Sequence, residues 1–266
     1  MSKKQKKIKQ NNANDLSAKY YDTVNKPFKG EDVVSCELDL ITSITTKGAK
    51  ILDIGCGTGR HLIPLWYLGY YLTGIDSSAG MIEQLNLKLK NYKLELQLKT
   101  KNFLNLKIIN SNIFNFSFRE KFDLIILMWN AFNEIVLTEK EAQHFFRILK
   151  NLLEKNGKVL INIDDTKIID PGNLKFSTTV EENGNIYKQN WKVVSFYKKK
   201  HTTVSEEKIT VLDLKNSRSN TIVSHIKQRW WSKEEIRKLA DKFHFDFKIK
   251  KIQCNKELYI ILKNRV

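Results

Sequence analysis

Hydrophobic and polar positions alternate between two kinds of segment from residue 50 to residue 165. Short apolar runs without period-two alternation predict strands that are covered on both faces. These runs lie at 50–54, 71–75, 106–111, 122–128 and 157–164. Amphipathic stretches at helical spacing separate them, as in residues 139–153. This order predicts a doubly wound, mostly parallel α/β sheet, whose ligands bind beyond the carboxyl ends of the strands.

The segments on either side of this alternating region have other patterns. Residues 16–46 are predicted to be mostly helical. Four segments joined by turn-forming Asn, Gly and Ser residues predict antiparallel strands at 175–180, 186–197, 202–214 and 221–230. Ser232 and Glu235 form a capping box that starts a helix. Runs at 245–252 and 258–262 then predict an antiparallel pair that completes a seven-stranded sheet.

Three regions follow from these patterns. Residues 1–15 are rich in Lys, Asn and Gln without apolar periodicity, which predicts a disordered basic arm. Residues 16–171 and 231–266 form the predicted α/β core. Residues 172–230 form a small antiparallel β insertion, interpreted as a lid or a dimer lobe.

One stretch of the core carries candidate chemistry. The first strand, with Asp53 near its end, runs into the loop Gly55-Cys56-Gly57-Thr58-Gly59, and the second strand ends in Asp76. Alternate glycines let backbone N–H groups approach a ligand without a clash from Cβ. An acid at the tip of the second strand is placed to hold the hydroxyls of a ribose. The stretch therefore predicts a nucleotide cradle.

Two common nucleotide loops are excluded by the residues that follow. The dinucleotide fingerprint needs glycine at the sixth position, where this chain has Arg60. This also disfavours an NAD-linked enzyme. The P-loop needs Lys followed by Ser or Thr, whereas Arg60 is followed by His61.

The remaining pattern, Asp-x-Gly-x-Gly-x-Gly, resembles motif I of the class I S-adenosylmethionine-dependent methyltransferases. Residues 74–82 resemble the segment after the second strand of that family. The resemblance implies a Rossmann-like class I methyltransferase fold and S-adenosyl-L-methionine as cofactor. The cofactor-binding candidates that it implies are Asp53, Gly55, Cys56, Gly57, Gly59, Arg60, Asp76, Ser77, Met81, Asn112, Ile113 and Met128.

The same resemblance places the acceptor pocket beside the tips of the later strands. Residues 128–134 contain no proline, so the Asn/Asp-Pro-Pro motif of methyltransferases that act on nucleobase amino groups is missing. Acceptor-pocket candidates are Tyr21, Trp129, Asn130, Asp164, His225 and Arg229. Five of these six have a plain structural alternative: helix docking for Tyr21, capping for Asn130 and Asp164, and ordinary sheet positions for His225 and Arg229. Asn112 has capping as its alternative.

The amino-acid composition bears mainly on which partners the protein could bind. The 266-residue chain has a net charge of +17, which favours an RNA-modifying enzyme as an alternative. However, only seven of its 46 basic residues are Arg, so Lys-rich composition bias is the preferred explanation of the charge. Three distant cysteines predict no disulfide framework and no metal site, hence a reducing cytoplasm. No apolar run of membrane length and no secretory signal are found in the sequence.

The sequence therefore predicts a cytoplasmic methyltransferase that transfers a methyl group to a nitrogen or oxygen of a small-molecule acceptor by in-line displacement. No membrane partner is expected, and the β insertion offers a surface for a homodimer. One alternative is an RNA-modifying methyltransferase. The alternative from another class is a non-catalytic module that binds the cofactor for regulation.

Overall fold

The computed structural model describes residues 13–28, 30–96 and 105–265. Its helices are α1 (Ala13–Ser17), α2 (Tyr21–Asn25), α3 (Glu31–Ser43), α4 (Leu62–Tyr67), α5 (Ala79–Leu96), α6 (Ala131–Ile135), α7 (Glu139–Leu152) and α8 (Lys233–Lys242). Its strands are β1 (Lys50–Ile54), β2 (Tyr71–Asp76), β3 (Leu106–Asn110), β4 (Phe122–Leu127), β5 (Leu153–Ile163), β6 (Lys175–Glu182), β7 (Asn185–Tyr197), β8 (Thr202–Asp213), β9 (Arg218–Arg229), β10 (Phe245–Lys250) and β11 (Leu258–Asn264).

Seven strands form the central sheet in the order β10-β11-β5-β4-β1-β2-β3. Strands β1 to β5 are parallel to one another, and β11 runs antiparallel to both β5 and β10. Two apolar clusters cover the two faces of this sheet, which explains the unbroken apolar runs of its strands. The strand order reverses between β1 and β4, where ligands bind in sheets of this kind. The predicted fold class is confirmed.

The β insertion is a second, four-stranded antiparallel sheet in the order β6-β7-β8-β9. Its strands alternate between two faces, so Gln189 and Glu207 are buried while their neighbours Lys188 and Lys208 are exposed. Helices α1 and α2 contact this sheet as well as α5 of the core. The N-terminal helices therefore bridge the core and the insertion, which below is called the lobe.

Several helices and strands begin at residues other than those predicted from the sequence. Most of the predicted basic arm lies outside the described residues, and its last residues, 13–15, belong to α1. Strand β5 begins at Leu153, four residues before the predicted start, because Leu153 pairs with Phe122 before the register shifts. The helix that follows the glycine loop, α4, starts at Leu62. The capping box of Ser232 and Glu235 is confirmed.

The cysteines depart from the sequence-based expectation. Cys36 on α3 and Cys254 in the turn between β10 and β11 form a disulfide, although 218 residues separate them in the chain. Cys56 is free and buried. The expectation of unpaired cysteines was therefore wrong for this pair, because the fold brings two distant segments together. The pattern of cysteines consequently gives no support for a reducing compartment.

Across the described ranges, none of the helices combines the length and the apolar character needed to cross a membrane.

Candidate functional site

A cavity of about 770 Å³ lies between the carboxyl edge of the central sheet, the N-terminal helices and the lobe. This volume is within the range of about 300–1,000 Å³ that is typical of small-molecule sites. Acidic residues outnumber basic ones along its walls, against the basic balance of the whole chain. The acidic lining residues are Asp76, Glu134, Glu141, Asp164, Glu207 and Glu257, and the basic ones are His225 and Lys227.

The glycine loop and the tip of β2 form one wall of the cavity. The carboxylate of Asp76 accepts hydrogen bonds from the N–H of Gly57 at 2.9 Å and from the N–H of Ser78 at 2.8 Å. Burial raises the pKa of Asp76, and these two donors partly offset the rise. Gly57 has φ +52°, and a Cβ added there would meet no atom within 4 Å, so its backbone faces open space. The backbone of the glycine loop and the carboxylate of Asp76 thus face a ligand side by side.

Asp53 lies beneath this loop rather than in the cavity wall. Its side chain is 3% exposed, and burial, followed by the charge of Asp76, raises its pKa to about 8. The carboxyl group of Asp53 therefore holds its proton at neutral pH. Cys56 and Gly59, also predicted as cofactor contacts, are buried and do not line the cavity. A Cβ at Gly59 would lie 2.4 Å from Leu85, so this glycine permits close packing of the loop on α5.

Asn112 lies at the other end of the same wall, after β3. Its side-chain oxygen accepts a hydrogen bond from the N–H of Phe114 at 2.9 Å, so the predicted alternative of capping is present. Asn112 and the buried Ile113 both line the cavity. An amide and an apolar side chain in this position suit the edge and the face of a heterocyclic base.

The tip of β4 has a strained backbone. Trp129 and Asn130 have φ values of +52° and +59°, a conformation that costs non-glycine residues about 1–3 kcal/mol each. Asn162 on β5 and Asp164 just after it hold the turn: the N–H of Trp129 donates to Asn162 at 3.0 Å, and the amide of Asn130 donates to Asp164 at 2.9 Å. The side chain of Asn130 does not cap α6. Its amide instead donates to Asp164, which lines the cavity.

Two acids meet where β5 ends and β11 begins. Burial raises the pKa of Asp164, and the hydrogen bond from Asn130 partly offsets it. Burial also raises the pKa of Glu257 to about 7, with the charge of Asp164 adding to the effect. The amide of Asn162 donates to Glu257 at 2.6 Å. A carboxyl group that titrates near neutral pH is suited to accept a proton from a bound molecule.

A buried charge network lies behind this wall. The carboxylate of Glu37 on α3 is fully buried and lies 3.1 Å from Arg60 and 2.8 Å from His61. The hydroxyl of Tyr259 donates to Glu37 at 3.0 Å. Burial alone would raise the pKa of Glu37, but the hydrogen bond and charge of His61 and the charge of Arg60 hold it below its usual value. Arg60 in turn lies 4.7 Å from the ring centroid of Trp129.

The N-terminal helices close the cavity from above. Asp15 accepts hydrogen bonds from the hydroxyl of Ser78 at 2.6 Å and from the N–H of Gly80 at 2.9 Å. Asp22 accepts from the hydroxyl of Thr58 at 2.8 Å, which fastens α2 to the glycine loop. Tyr21 lines the cavity, and burial followed by the charge of Glu134 raises its pKa, so the phenol keeps its proton.

The lobe supplies the opposite wall. Glu207 is 5% exposed and lines the cavity together with Gln189 and Trp191. His225 lines the rim and lies 3.8 Å from Glu206. Arg229 is outside the cavity, where it pairs with Glu235 at 3.0 Å and stacks on Trp231. The structure therefore places Arg229 outside the cavity wall, beside the lining residues Gln228 and Trp230.

The structure brings most predicted site residues together. The cavity wall contains the candidates Tyr21, Gly55, Gly57, Asp76, Ser77, Met81, Asn112, Ile113, Met128, Trp129, Asn130, Asp164 and His225. Candidates outside the wall are Asp53, Cys56, Gly59, Arg60 and Arg229. The first four of these support the wall from behind, because Asp53, Cys56 and Gly59 lie under the loop and Arg60 underlies Trp129.

Sequence reasoning missed several acids of the site. Glu37 interrupts an apolar face of α3 beside the buried Leu40 and Ile41. An acidic residue at such a position could have indicated a buried charge. Glu207 shares a face of β8 with Ser205 and Ile209, and the alternation of that strand would have turned it inward. Glu257 gave no local signal, because its position depends on the antiparallel pairing of β11 with β5.

Comparisons with known proteins agree with this architecture. Residues 51–157 match the model of a methyltransferase domain. A ubiquinone biosynthesis O-methyltransferase from Pelagibacter ubique is 34% identical over 115 residues, which cover 43% of this chain and 42% of the relative. The chain spans about half the length of the curated relatives that it matches first.

Two solved structures share the fold over most of the chain. A sugar N-methyltransferase from Streptoalloteichus sp. has a TM-score of 0.73 at 12% identity, covering 100% of this chain and 98% of that one. An amino pentose methyltransferase from Micromonospora echinaspora has a TM-score of 0.68 at 14% identity, covering 88% of this chain and 91% of that one. At these identities the similarity establishes the fold alone.

Proposed function

Because residues 51–157 form a class I methyltransferase domain, we propose that this protein transfers a methyl group from S-adenosylmethionine to a nitrogen or oxygen of a small-molecule acceptor. The observation that carries the proposal is the pairing of the Asp76 carboxylate with the Gly57 N–H at 2.9 Å in the wall of one large cavity. A cradle and a ribose-binding acid are thus held as one unit.

The residues at this wall fit the cofactor. The carboxylate of Asp76 accepts backbone N–H groups of Gly57, Ser77 and Ser78 and lies in the cavity wall, where its oxygens can also accept ribose hydroxyls. Gly57 leaves space for close approach of a ligand. Asn112 and Ile113 would hold the adenine, and Met128 and Trp129 would line the methionine end. When bound, the cofactor supplies a methyl group on a sulfonium whose leaving group is a neutral thioether.

The protein itself contributes by aligning the acceptor with the methyl group and by excluding water from the cavity. The strained tip at Trp129 and Asn130 fixes the position of Asp164, and the N-terminal helices cover the cavity through the bonds of Asp15 and Asp22. Glu257, with a pKa of about 7, is placed to accept the proton that the acceptor loses. Tyr21 keeps its proton and can donate a hydrogen bond to the acceptor.

The acidic cavity disfavours a polyanionic acceptor. Six carboxylates line it against two basic side chains, and phosphates would be repelled there. The net charge of +17 is therefore carried outside the cavity wall, where it does not bear on the choice of acceptor. Small-molecule acceptors are also named for the sugar N-methyltransferase and amino pentose methyltransferase that share this fold.

Calorimetric titration tests the proposal. S-adenosylmethionine and S-adenosylhomocysteine should bind, NAD should not, and Asp76→Ala should weaken both by about 100-fold because two charge-assisted hydrogen bonds are lost. Asp123→Asn, at the amino end of β4, is the matched control and should bind normally. Failure of the wild-type protein to bind either sulfur nucleotide would contradict the proposal. Binding without transfer in an acceptor screen would favour the regulatory module.

A further inference from the structure

Glu207 is a buried carboxylate in the wall that the lobe contributes to the cavity. Its oxygens accept hydrogen bonds from the amide of Gln189 at 2.7 Å and from the hydroxyl of Ser224 at 3.2 Å. Trp191 on β7 and Ser224 on β9 are its direct cross-strand neighbours, so all three side chains share the inner face. The carboxylate is therefore fixed in orientation by two neighbouring strands.

Within residues 13–28, 30–96 and 105–265, the carboxylate of Glu207 has no counterion. Both of its hydrogen-bond donors are uncharged, and among the described residues no Lys, Arg or His lies within 4.0 Å of it. The basic residues at the cavity rim are His225 and Lys227. Both are exposed, and they alternate along β9 with Ser224, so they lie on the face of the sheet opposite to Glu207. A buried carboxylate without a counterion is costly, which is the expected condition of a site whose cation arrives with a ligand.

An aromatic surface adjoins this carboxylate. Trp191 lines the cavity and stacks on Phe176 with ring centroids 5.1 Å apart and an angle of 9° between the planes. The face of an indole attracts ammonium groups through its quadrupole. A carboxylate and an aromatic ring on paired strands form a combined site for an organic cation.

We propose that Glu207 and Trp191 bind a protonated amine of the methyl acceptor, which makes Glu207 a specificity-determining residue for basic amine-bearing small molecules. This inference rests on the proposed function. The amine is assigned to the acceptor because Glu207 belongs to the lobe, whereas the cofactor cradle is built by the glycine loop and β2 of the core.

The test compares an amine with its hydroxyl isostere. trans-4-Aminocyclohexanol and trans-1,4-cyclohexanediol are titrated calorimetrically into protein saturated with S-adenosylhomocysteine, and 5-aminopentanol and 1,5-pentanediol serve as a linear pair. In the wild type, each amine should bind about tenfold or more tightly than its diol, because a charged hydrogen bond is formed. Glu207→Gln should weaken amine binding by about tenfold and leave diol binding unchanged.

Glu206→Gln is the matched control. Glu206 is the preceding residue on the same strand, faces outward and pairs with Lys192 at 3.2 Å, so the variant should keep the preference for amines. The inference is overturned if wild-type protein that binds S-adenosylhomocysteine shows no preference for either amine, or if Glu207→Gln retains the full preference. The wild-type comparison does not depend on folding of the variant. Failure to bind S-adenosylhomocysteine would instead overturn the proposed function.

Discussion

The guanidinium of Arg60 lies 4.7 Å from the ring centroid of Trp129, which joins the end of the glycine loop to the strained tip of β4. On its other side Arg60 contacts the buried carboxylate of Glu37 at 3.1 Å. Through these contacts α3, the glycine loop and the tip of β4 form one packed unit. The ion pair therefore supports the cavity wall without lining it.

Glu37→Gln should destabilise the fold by about 3–5 kcal/mol, because it leaves the guanidinium of Arg60, whose side chain is only 14% exposed, without its charge partner. Urea unfolding at neutral pH measures this change. Asp39→Asn lies on the exposed side of the same helix and should change stability by less than about 0.5 kcal/mol. If the two variants were equally stable, the network would not have the proposed role.

The loss of stability in Glu37→Gln should itself depend on pH. The pKa of Glu37 is lowered in the folded state, so its contribution is present above the unfolded pKa of about 4.5 and disappears as the pH falls through the folded pKa. The gap in unfolding free energy between wild type and variant should therefore narrow below that point. A gap that widens on acidification would contradict the assigned ion pair.

The protonated carboxyl group of Asp53 should cause the free energy of unfolding to fall as the pH rises. Its pKa is about 8 in the folded protein against 3.8 in the unfolded chain, so the folded state binds more protons in this window. Asp53→Asn should remove a slope of up to about 1.4 kcal/mol per pH unit between these values. Urea unfolding of the ligand-free protein at pH 5, 6.5 and 8 provides the measurement. Parallel pH profiles for wild type and variant would show that Asp53 is ionised in the fold.

Asn130 provides a test of backbone strain at the tip of β4. Its φ of +59° suits glycine and penalises alanine, so Asn130→Gly should be more stable than Asn130→Ala by about 1 kcal/mol. Both variants lose the hydrogen bond to Asp164, which cancels in the comparison. Thermal or urea unfolding of the pair measures the difference. Greater stability of the alanine variant would mean that the turn is not held in this conformation.

Asp15 should control how firmly the N-terminal helices cover the cavity. Asp15→Ala removes the bonds to Ser78 and Gly80, so amide exchange in residues 13–25 should accelerate by about tenfold. Affinity for S-adenosylhomocysteine should fall in parallel, because the covering segment is ordered less of the time. Asp39→Ala on the exposed face of α3 is the control. Unchanged exchange in both variants would show that other contacts hold the segment.

The sequence by itself determined the secondary-structure elements and the wall of the cavity that the glycine loop and the tip of β2 form. Periodicity depends on neighbours within a few residues, so it identified the strands of the sheet, the capping box at Ser232 and the antiparallel character of the lobe. The loop at Gly57 and the acid Asp76 were also readable, because consecutive βαβ elements place them side by side. Exact strand ends were less accessible, since the early start of β5 depends on its partner β4.

Only the tertiary structure decided which distant side chains meet. Glu37 and Tyr259 form a hydrogen bond although 222 residues separate them, and Cys36 pairs with Cys254 across a similar distance. The same holds for Glu207, whose burial depends on the lobe closing over the core. The residues around a charge decide whether it is solvated, paired or left for a ligand, and those residues are assembled by folding rather than by sequence proximity.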